Sequence, residues 1–381
     1  MNFKLAWLLC PTLLYAARGD LVSFKKKAHV SEKEHGALCG SFSIPCQNTQ
    51  RSTVYSYLYE TLDIDNHLST ASALLVIPDN KWDLALLAYC HGTVSNRSEA
   101  PTNLGYHLQL PLCVFTQANF AIAIPDYLGL GKSSTIFHPF CHADSLATAS
   151  YDAIVAAEHL LKTLKQSLSG QLFVTGYSEG GMAALSLHAY IEKHPLKTLN
   201  LKASAPMSGP YALSESLPFA MGSNSSRMNT YMSYVISSYN KLYPNLFPEF
   251  DKVFAAPVQY LIPLLFDGCH SFWEINQILG RITPLFEGEF SENVLMKASK
   301  FSLKLLDNDT YRFVPKIPIQ FIGLNKDSEV DYANSQIAYN YMKERKAPVS
   351  LISASLTLDH IQGSPLCHIK ALEYLQTFLK K

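Results

Sequence analysis

The strongest constraint in this chain is the stretch Leu172-Phe173-Val174-Thr175-Gly176-Tyr177-Ser178-Glu179-Gly180-Gly181, which runs directly into Met182-Ala183-Ala184-Leu185-Ser186-Leu187-His188. A short apolar run of strand character meets a Gly-x-Ser-x-Gly turn and continues into an Ala/Leu-rich helical run. Gly-x-Ser-x-Gly alone is common as an ordinary glycine-rich turn. Between a strand and a helix it reads as a nucleophile elbow, a strained turn that projects the serine Oγ from the sheet edge. Flanking glycines let the neighbouring backbone approach closely. Ser178 is therefore the candidate nucleophile.

The segments around it alternate strand and helix. Thr53–Asp63 partly alternates apolar with polar, and Ser72–Pro78 is mostly apolar, so the two read as antiparallel edge strands. Leu84–Cys90 is apolar throughout, as a strand buried on both faces of a parallel sheet would be. A short helix opening at Pro111, the strand Phe120–Pro125 and a long helix from Ala143 to Leu164 precede the elbow, and Leu201–Pro206 follows as the next strand. The glycines of Asp126–Lys132 lack the Walker spacing and read as a tight turn at a strand end. This alternation argues for a doubly wound, mainly parallel sheet. It stops from Tyr211 to about Leu306, a stretch dense in Tyr and Phe with no clean strand, which reads as an inserted helical cap at 211–306. Strand Ile317–Ile322, helix Tyr332–Arg345, strand Val349–Ile352 and helix Pro365–Leu379 then complete the chain.

With 381 residues, 48% apolar and 16% charged, the chain can bury a large core, and Lys+Arg balances Asp+Glu at 31 each. No net field exists to attract nucleic acid. Residues 1–17 read as an export signal, with one lysine ahead of an apolar run too short to span a bilayer and cleavage near Ala16 or Ala17. Residues 18–381 then form the mature domain, in a secreted or periplasmic location. Leu21–Gln50 is mixed and turn-rich and reads as an arm packed on that domain. Beyond Cys10 an odd number of cysteines remains, and Cys39 and Cys46 flank a loop they could close as a small disulfide ring. No zinc-type spacing appears, and the chemistry inferred below needs no metal or organic cofactor. Asn96, Asn224 and Asn308 head glycosylation sequons.

A serine hydroxyl becomes a strong nucleophile only when a histidine takes its proton and a carboxylate orients the imidazolium. In a fold of this kind the three follow in the order Ser, Asp, His, on loops after successive strands. Asp327 sits a short turn beyond Ile317–Ile322 and is the preferred acid, with Glu329 and Asp331 as near rivals. His360 follows the last strand and is the best placed of the 13 histidines, while the adjacent Asp359 reads as a loop acid. The oxyanion hole requires two backbone N–H groups, one from Glu179 after the nucleophile and one from Thr93 in the turn His91-Gly92-Thr93.

These residues together resemble the secretory lipase family of α/β-hydrolases. The resemblance rests on Gly176–Gly181, Tyr89–Thr93, Pro125–Gly131 with His138-Pro139 and His142–Ser145, Asp327–Val330 and Asp359-His360, and it extends from about Tyr55 onward. The turn His91-Gly92-Thr93 differs from that of fungal members, so the chain looks closer to bacterial ones. The resemblance implies an exported serine ester hydrolase of the α/β-hydrolase fold with the triad Ser178, Asp327 and His360, acting on acylglycerols or other acyl esters. The aromatic cap is then expected to wall the acyl site and to contact a lipid interface. A serine peptidase, an acyltransferase or a phospholipase shares the same machinery. A non-catalytic relative would be expected to have lost a triad position.

Overall fold

The computed structural model describes residues 16–46, 48–79, 83–133, 137–221 and 226–379. Residues 1–15 of the expected export signal, with Cys10, and Asn224 of the second sequon lie outside them. Among the described residues nine strands form one sheet: β1 (Leu21–Val30), β2 (Ser52–Leu62), β3 (Leu68–Pro78), β4 (Leu84–Cys90), β5 (Phe120–Pro125), β6 (Leu168–Tyr177), β7 (Asn200–Met207), β8 (Ile319–Leu324) and β9 (Val349–Ser355). Their order is β1-β2-β3-β5-β4-β6-β7-β8-β9. The first three strands and the β3–β5 pair are antiparallel, and every pair from β5 to β9 is parallel.

Among the described residues, twelve α-helices accompany the sheet: α1 (Glu32–Ser41), α2 (Tyr106–Phe115), α3 (Ala143–Thr163), α4 (Glu179–Lys193), α5 (Leu213–Met221), α6 (Ser226–Leu242), α7 (Val258–Leu265), α8 (Phe272–Leu279), α9 (Gly288–Leu295), α10 (Lys300–Asp307), α11 (Ala333–Glu344) and α12 (Ser364–Gln376). The alternation along β4 divides the core. Ala85, Leu87 and Tyr89 pack with α1, α2 and α12 on one face, and Leu84, Leu86, Ala88 and Cys90 pack with α3 and α4 on the other. A strand sandwiched this way has no polar face, which accounts for its unbroken apolar sequence. Helices α5–α10 lie between β7 and β8 and share a separate core of Val235, Tyr239, Phe254, Ile262, Phe290 and Phe301.

Four sequence expectations need correction. Residues 21–50 hold an edge strand and a helix, and β3 lies inside the sheet between β2 and β5. The edge strand escapes pattern reading because most of Leu21–Val30, including Lys25 and Lys26, faces solvent, so neither face carries an apolar alternation. Helix α2 begins at Tyr106 behind Gly105, and Pro111 sits inside it. Finally, Cys39 is bridged to Cys113, joining α1 to α2, and no Cys39–Cys46 ring forms. The packing of α1 on α2 brings those Cα atoms to 5.4 Å, while the Cys46 thiol turns to His35 Nδ1 at 3.6 Å.

Candidate active site

Gly176 and Gly180 make the elbow possible. A Cβ on Gly176 would lie 2.2 Å from the Gly180 carbonyl oxygen, and one on Gly180 would lie 2.0 Å from that of Cys90. Between them Ser178 adopts φ 62°, ψ −125°, a conformation costly for a residue with a side chain. The turn is held by the Ser178 N–H donating to the Met207 carbonyl at 3.0 Å and by α4 starting at once with Glu179. Ser178 Oγ is thus presented at the carboxyl end of β6.

Two distant loops reach it. Asp327 lies in the turn after β8, where its Oδ1 accepts the N–H groups of Glu329 at 3.0 Å and Val330 at 2.8 Å. Its Oδ2 is 2.7 Å from His360 Nδ1, and His360 Nε2 is 2.9 Å from Ser178 Oγ. Because the carboxylate only accepts, Nδ1 carries the imidazole proton and Nε2 is left to accept from the serine. Asp327 and His360 have 0% and 3% side-chain exposure, so water does not compete for this chain of bonds. Burial pulls the His360 pKa down, but the charge and hydrogen bond of Asp327, joined by Glu329, outweigh it and leave the imidazole above its ordinary value. Tyr177, one residue before the nucleophile, donates its hydroxyl to the His360 carbonyl and ties the two loops together.

The rival acids are otherwise engaged. Glu329 is ion-paired to Arg227 of α6, accepts the Tyr231 hydroxyl at 2.6 Å, and is nearly fully buried. Asp331 accepts the Ala333 N–H at 2.7 Å, at the start of α11. Asp359 accepts the N–H groups of Ile361 and Gln362.

Gly92 and Thr93 run beside Ser178: a Cβ on Gly92 would stand 3.7 Å from Ser178 Cβ, and Thr93 lines the same cavities as Ser178. Glu179 opens α4, where first-turn N–H groups have no partner within the helix. His91 is buried, stacked on Tyr127 at 4.2 Å between centroids, and donates from Nδ1 to the Gly92 carbonyl; burial pushes its pKa down to about 4.

Sequence reading misses the partner of the Glu179 side chain. His138 Nδ1 must donate to the Leu128 carbonyl at 2.9 Å, and its Nε2 faces Glu179 Oε1 at 3.1 Å. The pair is nearly inaccessible and braces the residue that follows the nucleophile. Gly129 lets the backbone of His138 approach closely, since a Cβ there would lie 2.2 Å from the His138 nitrogen, and the motif His138-Pro139 does not by itself name Glu179 as the partner.

His35, Cys39 and Cys46 also converge, with ligand atoms within 4.8 Å of one another, but the sulfur of Cys39 is committed to its disulfide. Asn308, the sequon asparagine before Asp309, is 2% exposed and bonded to Ala143, Tyr243 and Lys304.

No family model and no curated protein sequence matches this chain. Solved structures do. A Legionella pneumophila protein assigned as a hydrolase is 28% identical with a TM-score of 0.88, covering 94% of this chain and 98% of its own. The ligand-bound form of LipA, a rice cell wall degrading esterase from Xanthomonas oryzae, is 27% identical with a TM-score of 0.84, covering 94% and 97%. The chain has the α/β-hydrolase fold. Closed-state Candida antarctica lipase A, 14% identical with a TM-score of 0.66 over 91% of this chain and 78% of its own, has the same fold. In an α/β-hydrolase, ligands meet the carboxyl ends of the parallel strands, where Ser178, Asp327 and His360 converge here.

Proposed function

We propose that this protein is an exported serine carboxylic-ester hydrolase acting on lipid or other acyl esters through an acyl-enzyme on Ser178. The observation that carries the reading is the bonded series Asp327–His360–Ser178, with separations of 2.7 and 2.9 Å. Ser178 Oγ attacks the ester carbonyl carbon as His360 Nε2 takes its proton. The Thr93 and Glu179 amides hold the oxyanion. The carbon–oxygen bond to the alcohol then breaks as the imidazolium protonates the leaving oxygen. Water, deprotonated by the same nitrogen, cleaves the acyl-enzyme and restores the serine. Asp327 keeps Nδ1 protonated and stabilises the imidazolium throughout.

The relationship to a bacterial esterase at 27% identity over nearly the whole chain favours ester substrates. Export is supported by the leader sequence and by the Cys39–Cys113 disulfide, a bond that persists in oxidising compartments. The cap exposes Tyr260, Leu264 and Trp273, which suit contact with a lipid surface. The test is hydrolysis of p-nitrophenyl esters by the purified protein and its Ser178→Ala variant, with fluorophosphonate labelling of Ser178 followed by mass spectrometry. Turnover and labelling lost in the variant support the reading; turnover equal in both proteins overturns it.

A further inference from the structure

Two separate cavities meet at Ser178. The smaller, about 60 Å³, is lined by Glu179, Leu213, Leu217, Val235 and Val330. The larger, about 370 Å³, is lined by His360 and by Tyr106, His107, Phe272 and Trp273. Ser178, Thr93 and Tyr231 border both. Resting on the ester-hydrolase reading above, the position of His360 decides how a substrate divides between them. The leaving oxygen must take its proton from His360 Nε2, so the alcohol lies on the side that histidine lines. The acyl chain is left with the other side, where Glu179 is present and His360 is not.

We infer that this site takes esters of short acyl groups with large, ring-bearing alcohols. At one water-sized group per roughly 10–15 Å³, the acyl cavity admits about four to six heavy atoms. Its wall is firm: Tyr231 is held through its hydroxyl by Glu329, which is itself paired to Arg227, so the partition does not yield by a side-chain rotation alone. Leu213 and Leu217 of α5 and Met228 and Val235 of α6 line the acyl cavity, a surface suited to methylenes. The alcohol side is several times larger, and its aromatic walls favour the face of a ring system over a short alkyl group. Tyr106 and Trp273 stand half exposed at its edge, 54% and 53%, which leaves room for an alcohol that extends outward.

The experiment compares kcat/KM of the full-length protein on p-nitrophenyl acetate, butyrate, octanoate and laurate, and on methyl and 1-naphthyl butyrate. The expected profile peaks near butyrate and falls about tenfold or more by octanoate, in line with roughly tenfold or more per methylene that does not fit. Naphthyl butyrate is expected to exceed methyl butyrate by more than the same alcohols differ in alkaline hydrolysis. Val235→Phe should lower the butyrate-to-acetate ratio, and Trp273→Ala should lower the naphthyl-to-methyl ratio. A rate that climbs to laurate, or a Val235→Phe variant that alters alcohol choice while leaving acyl choice as before, overturns the partition and leaves ester hydrolysis standing. Failure to turn over any ester, with no labelling of Ser178, overturns both.

Discussion

The buried Glu329 carboxylate is ion-paired to Arg227 on cap helix α6, although it lies in the same turn as the Asp327 that holds His360. The charge of Glu329 raises the pKa of His360 and that of Arg227 lowers it, while burial, the largest influence, lowers it and Asp327 reverses the balance. Catalysis needs the imidazole neutral, so a raised pKa keeps it protonated to higher pH and moves the acid limb of kcat/KM above the ordinary histidine value of about 6.5. Glu329→Gln removes one raising charge and leaves the lowering charge of Arg227 unpaired, so the limb should move to lower pH. A pH–rate profile of the two proteins checks this; an unmoved or upward-shifted limb in the variant contradicts it.

Asp327→Asn should preserve the fold and cost catalysis heavily. An amide that donates to Nδ1 favours the imidazole tautomer whose Nε2 carries the proton, and that nitrogen can no longer accept from Ser178. A drop in kcat of about 10³- to 10⁴-fold is expected, with little change in thermal midpoint. Activity within tenfold of the parent would show that Asp327 is not the orienting acid.

Gly180→Ala should destabilise the protein rather than merely slow it. The added methyl would sit 2.0 Å from the Cys90 carbonyl oxygen, so either the first turn of α4 or the end of β4, with the His91-Gly92-Thr93 turn that follows it, would have to shift. A loss of about 3 kcal/mol, seen in chemical denaturation, is expected. A midpoint equal to the parent's would mean that the elbow is looser than described.

The His138–Glu179 pair calls for a double substitution. His138→Ala leaves the Glu179 carboxylate buried with only a weak contact from the Cys141 amide at 3.4 Å, and about 3–5 kcal/mol of stability should be lost. Adding Glu179→Gln removes the charge while retaining the backbone N–H, and should recover part of that loss. Additive effects of the two changes, measured by denaturant titration, would rule out a coupled pair.

What the amino-acid sequence determined was whatever depends on neighbours in the chain. Ser178 is legible because strand, turn and helix adjoin within one segment, and both-face burial of β4 is legible from its unbroken apolar run. The loops bearing Asp327 and His360 are legible too, because each follows a strand in a regular alternation. Pairing across space was decided only by the tertiary structure. Cys39 bonds to Cys113 because α1 packs on α2, and Glu329 turns from the histidine because the cap brings Arg227 and Tyr231 to it. The smaller cavity at Ser178 likewise arises where α5 and α6 pack near the strand ends, and the larger where α2, α8 and α12 meet beside His360, so their sizes belong to that packing and to no single stretch of sequence. Local propensity acts over a few residues, whereas a buried charge or sulfur takes whatever partner the folded chain delivers.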